Sequence, residues 1–188
     1  MPETDRSGPS PSLDRDGPPR AVFIAALAVA LAAVVGVLVI AATRTPAVTP
    51  VPIAAAPAPQ AEGPDCTRLM DTLPDQLGDY RRATAVEPVP AGAAAWQDEP
   101  GGEPVILRCG LDRPVDFVVG TPVQVVDGVQ WFRVSDPSGM LTSWFAVDRA
   151  VYVALTLPEG SGPTPIQEIT RTIEKTLPAT APQPGPPR

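Results

Sequence analysis

Cys66 and Cys109 supply all the thiol chemistry in a chain of 188 residues. Cys109 ends an apolar run in "PVILRCGLDRP", residues 104–114, and Cys66 opens "CTRLMDTLP". Two such residues can serve as a structural disulfide, as a redox thiol pair or as part of a metal site. Redox pairs favour the C-x-x-C spacing or a thiolate held beside cations, and this chain lacks the spacing. Arg108 adjoins Cys109, but successive side chains of a strand point to opposite faces, so its charge is turned away from the sulfur. The chain has no histidine. That removes Ser-His-Asp and Cys-His triads, His-ligated zinc and the usual general base near neutral pH. With no D-x-D-x-D-G calcium loop either, no metal and no cofactor is expected.

The remaining chemical candidates are aromatic and acidic. Trp96, Trp131, Phe132, Trp144, Phe145 and Tyr152 fall in β-prone runs, where aromatics serve mostly as core and cross-strand pairs. In each Trp-Phe pair, one ring points in and one out. Trp131 and Trp144 are the residues expected to bind a ligand at the surface. Asp127, Asp136 and Asp148 sit at turns, where Asp is favoured for local hydrogen bonding. Ser138 in "DPSG" has no nucleophile-elbow context. Catalysis by a carboxylate pair would depend on tertiary contacts that spacing does not reveal.

The elements that position these residues can be read from periodicity. Cys66, Leu69, Met70 and Leu73 recur as one helical face, with Asp65 as the expected N-cap. "AAAW" and "PVILRC" read as strands, and "PVQVVDGVQWFRV" as a hairpin about Asp127-Gly128. Further strands lie near "LTSWFAV" and "AVYVALTL". A last helix carries Ile166, Ile169, Ile173 and Leu177 on its buried face, with Thr164, Pro165 and Gln167 in a capping-box pattern. The fold class is α+β: a mainly antiparallel sheet of four to six strands with two flanking helices.

The flanks of this domain have another character. Residues 1–20 are polar and rich in Pro and Gly, and are expected to be disordered. Residues 21–42 carry no charge, and at about 1.5 Å per residue they form a helix of roughly 33 Å, enough to cross a bilayer core. Signal peptides have an apolar core of only about 7–15 residues, so a retained single-pass anchor is expected. Arg6, Arg15 and Arg20 precede the span and Arg44 alone closely follows it, which orients the N-terminus to the cytoplasm. Residues 43–64 hold six prolines and read as a semi-rigid linker. Residues 65–178 form the extracytoplasmic domain, and 179–188 a disordered tail.

In an oxidising compartment Cys66 and Cys109 are expected to pair, closing a loop whose cross-link stabilises the fold by roughly 4 kcal/mol. The net charge of −7, the single lysine, Lys175, and the lack of a basic stripe weigh against nucleic acid, and none is expected as a partner. With no asparagine in the chain, N-linked glycosylation is excluded too.

Together with the anchor, "CTRLMDTLP", "YRRA", "AAW", "VILRCG", "GVQWF" and "VYVALTLP" resemble a family of envelope proteins of high-GC Gram-positive bacteria, domain of unknown function 3515. The resemblance covers residues 63–178, and the strand ending in Cys109 is its most specific part. It implies a short extracytoplasmic module with a membrane anchor and two cysteines, and it implies no activity. "QDEPGGEP", between Trp96 and Val105, is longer and more acidic than that pattern. The reading is a single-pass, membrane-anchored, non-catalytic module of the cell envelope. It touches the bilayer through residues 21–42 and binds an envelope protein or a cell-wall component. Two alternatives stand beside it: an extracytoplasmic enzyme, thiol-redox or a carboxylate-based hydrolase, and a small-ligand-binding domain.

Overall fold

A computed structural model describes residues 20–43 and 49–187. The expected N-terminal disorder at 1–19 falls outside those residues. Arg20–Thr43 forms helix α1, within which Ala21–Ile40 is long and apolar enough to span a membrane. Residues from Ala47 onward make a separate compact unit.

That unit holds one antiparallel sheet of eight strands, two to four more than the sequence suggests. The strands are β1 (Gln76–Leu77), β2 (Tyr80–Ala83), β3 (Ala93–Gln97), β4 (Val105–Leu111), β5 (Gln124–Val126), β6 (Val129–Ser135), β7 (Leu141–Ala146) and β8 (Tyr152–Pro158). Their order is β1-β2-β3-β4-β8-β7-β6-β5. The sheet is thus two meanders, β1–β4 and β5–β8, joined where β4 pairs with β8 at its centre. The extra strands β1 and β2 are two and four residues long, too short for alternation to reveal them. Asp127 and Gly128 both take positive φ, at 41° and 80°, and turn β5 into β6 with Val126 opposite Val129. A two-residue turn with both φ positive matches the right-handed twist of its strands, and Gly enters that region without steric cost.

Helices α2 (Pro64–Thr72) and α3 (Thr164–Thr176) pack on one face of the sheet. Cys66 and Leu69 of α2, and Ile166, Ile169 and Ile173 of α3, meet Trp96, Leu107, Trp131 and Leu155 in the main core. Both helix starts differ from the capping expected. Gly63 and Pro163 stand at the N-cap positions, so Asp65 and Thr164 already lie inside the first turns, and neither helix has a side-chain cap. Proline in the first turn compensates, since it lacks an N–H that would go unpaired there.

The opposite sheet face is covered by irregular chain, and two expectations are corrected by it. Val51, within the presumed linker, is buried and pairs with Ala85, its N–H donating to the Thr84 carbonyl at 2.8 Å. Val51 and Ile53 pack on Ala93 and Ala95, whose small side chains let an extended segment lie close to the sheet. The domain therefore begins before Asp65. The expected tail is also tied down. Thr180 N–H donates to the Asp148 carbonyl, and Gly185 exchanges backbone bonds with Phe117 and Val119. Prolines deprive residues 179–187 of regular structure without depriving them of partners. The residues between β4 and β5 must travel from the sheet centre to its edge, and Phe117 on that crossover packs against Phe132 with ring centroids 5.5 Å apart.

Candidate functional site

Each row of residues across an antiparallel sheet shares one face. One central row on the irregularly covered face reads Phe132, Phe145, Ala154, Arg108 and Ala93 from β6 to β3. The next row on that face carries Val134, Ser143, Thr156, Ile106 and Ala95. Segment 51–57 covers one side of these rows, and the crossover and tail cover the other. Between them a cleft of about 360 Å³ remains open over β4, β8 and β7.

Its floor is chemically distinct from its walls. Arg108 projects from β4 beside Ala154, whose single methyl leaves room above it. Ser143 and Thr156 share a hydroxyl hydrogen bond of 2.9 Å across β7 and β8. Pro57, Pro114 and Phe145 form apolar walls, and Asp112 and Arg113 stand exposed at the rim. Arg108 donates through Nη2 to the Ala54 carbonyl at 3.3 Å, while its Nε is buried and has no partner. No carboxylate pairs with Arg108 among the described residues. Burial pulls its pKa below the ordinary value, yet an arginine remains charged in proteins.

The tryptophans expected at the surface occupy the other face. Trp131 is fully buried beneath α3 and donates from Nε1 to Thr170 Oγ1 at 3.2 Å. It therefore cannot present a ring to a ligand. Trp131 and Phe132 leave β6 on opposite faces, but both faces of the sheet are covered, so Phe132 is buried as well. Trp144 is half-buried on the same face as Trp131, with the Arg133 guanidinium 5.8 Å from its ring centre. It lines a shallow groove of about 420 Å³ beside residues 159–163 at the start of α3. Trp131 and Trp144 do not combine into one site.

Cys66 and Cys109 are joined as a disulfide with Cα atoms 5.6 Å apart, and both are wholly buried. No free thiol remains among the described residues, so the thiol-redox reading has no accessible sulfur. Among the described residues no cluster of His, Cys, Asp and Glu could hold a metal ion. Arg108 is not among the residues that the sequence singles out for binding, although a charged side chain within the apolar run "VILRCG" is a usable signal. Lys and Arg are rarely buried without a partner.

No curated protein and no solved structure matches the chain significantly. A family model described as "Protein of unknown function (DUF3515)" matches residues 27–182, from within α1 to the start of the tail. The chain belongs to that family, DUF3515.

Proposed function

We propose that this protein is a single-pass, membrane-tethered, extracytoplasmic module of the cell envelope, with the N-terminus cytoplasmic, and that it binds a ligand or partner without transforming it. The observation that carries this reading is an apolar helix followed in the same chain by a domain closed by a buried disulfide. Disulfides persist in oxidising compartments and are rare where thiols are kept reduced. The arginine excess before Ala21 orients the helix in the same sense. Binding is favoured over catalysis because the sulfurs are sequestered and the cleft over β4, β8 and β7 has a cation and two hydroxyls at its floor, with its carboxylate, Asp112, standing exposed at the rim.

Lys175 gives a direct test. It is the only lysine and is exposed on α3. A membrane-impermeant amine reagent applied to intact cells should modify Lys175 without permeabilisation, as read by mass spectrometry of the domain peptide. Acid-quenched, denaturing alkylation should find both cysteines oxidised. Labelling that requires cell lysis would place the domain inside and end this reading.

A further inference from the structure

We propose that the cleft over Ala154 is a binding site for a small organic carboxylate with an apolar body, held by the Arg108 guanidinium. This deepens the binding reading above and rests on it for its place in the protein's function. An arginine carries five N–H donors in a planar fork. Arg108 commits Nη2 to the Ala54 carbonyl, and its Nε has neither solvent nor an acceptor. A buried donor left unpaired is destabilising, because it has given up water without gaining an acceptor. The chain carries 21 acidic residues against 14 basic ones, yet no carboxylate pairs with this cation among the described residues. An acceptor from outside would meet the terminal N–H groups that the single bond to Ala54 leaves over on the cleft side of the guanidinium.

The surroundings select the class of acceptor. A carboxylate matches the guanidinium fork in plane and spacing, and such charge-assisted pairs are roughly twice as strong as neutral hydrogen bonds. The Ser143–Thr156 pair uses one hydroxyl hydrogen internally and keeps the other for a ligand oxygen. One half-buried cation balances one negative charge. A phosphate near −2 would need a second, and Arg113 is exposed at the rim. Pro57, Pro114, Phe145 and Ala154 leave the rest of the volume apolar. At about 360 Å³ the cleft falls within the range of small-molecule sites.

The test uses the full chain in detergent micelles with ¹⁵N-labelled arginine, titrated with 4-phenylbutyrate and separately with its uncharged amide. The Arg108 Nε–H resonance, assigned by its loss in Arg108→Met, should shift with the acid, and the amide should bind at least about tenfold more weakly. Arg108→Met, checked for an intact disulfide, should lower the acid's affinity to that of the amide. Equal binding of acid and amide, no shift with either, or an equal response to inorganic phosphate each overturns the proposal. If Arg108→Met does not fold, the acid and amide pair on the native chain decides alone. A null titration with Lys175 labelled from outside removes the carboxylate site and leaves the tethered reading standing. Binding with Lys175 labelled only after lysis does the reverse.

Discussion

Arg108 and Cys109 are consecutive on β4 and leave the strand on opposite faces. Cys109 reaches Cys66 of α2 within the main core, while Arg108 forms the floor of the open cleft. The residue after them, Gly110, takes a φ of 85° and interrupts the pairing with β8 between Cys109 and Leu111. Three consecutive residues thus fix a helix to the sheet, supply the cleft's cation and bend the strand.

The disulfide closes 43 residues of sequence separation. Replacing both cysteines, as Cys66→Ser with Cys109→Ser, should cost about 2–5 kcal/mol. For a domain of this size that is a fall in Tm of roughly 10 °C, readable by calorimetry on the detergent-solubilised chain. A fall of under about 2 °C would show that α2 is held by packing alone.

Gly110 is also where the domain's first segment touches the sheet. Its carbonyl accepts from Gln60 N–H at 3.1 Å, and a Cβ added there would collide with backbone atoms of Gln60 and Ala61. Gly139 has a similar φ of 76° but open space around it. Gly139→Ala should therefore cost only the backbone strain, about 1–2 kcal/mol. Gly110→Ala must add displacement of residues 60–61 and should cost clearly more. Equal urea midpoints for the two variants would contradict the close approach.

Asp148 and Arg149 form an ion pair of 2.9 Å at the corner between β7 and β8, and both are nearly free of solvent. Asp148 also accepts from Gln130 N–H, and its carbonyl receives both Thr180 N–H and the Arg149 guanidinium. Asp148→Ala would strand a buried cation, which costs about 3–5 kcal/mol. The C-terminal segment beyond Ala179 should become protease-sensitive in the same variant, as read by limited proteolysis. Unchanged stability and protection would show that the corner is held by its backbone bonds.

The pattern of legibility follows the physics of each segment. Leu69 on α2, Ile169 on α3 and the Asp127-Gly128 turn were readable because periodicity and turn chemistry act locally. Val51 was not, because a valine between prolines looks like linker, and its burial depends on Ala93 and Ala95 more than 40 residues away. Trp131 misled for a related reason. Alternation puts Trp131 and Phe132 on opposite faces, but it does not tell which of the two faces α3 covers, and Trp131 lies beneath α3. Arg108 could be oriented from its neighbour Cys109, but its lack of a carboxylate partner is a tertiary fact that no spacing encodes.

Tyr80 and Tyr152 give the domain an alkaline limit. Burial pushes the Tyr80 hydroxyl above its ordinary value of 10.0, with Asp98 and Asp79 adding to the effect. Burial also raises Tyr152, against the pull of Arg113. A folded tyrosine with a raised pKa holds its proton where the unfolded one releases it. Its contribution is complete below about pH 10 and is lost as pH climbs through the folded value. Urea midpoints should therefore be flat from pH 7 to 9 and fall above about pH 10. Tyr80→Phe keeps the buried ring and removes the titrating group, so its alkaline fall should be shallower than that of the native chain. With both cysteines bonded, no free thiol among the described residues is present to start disulfide exchange in that range. Superimposable alkaline curves for native and Tyr80→Phe would mean that the Tyr80 hydroxyl is as well solvated in the folded domain as in the unfolded chain.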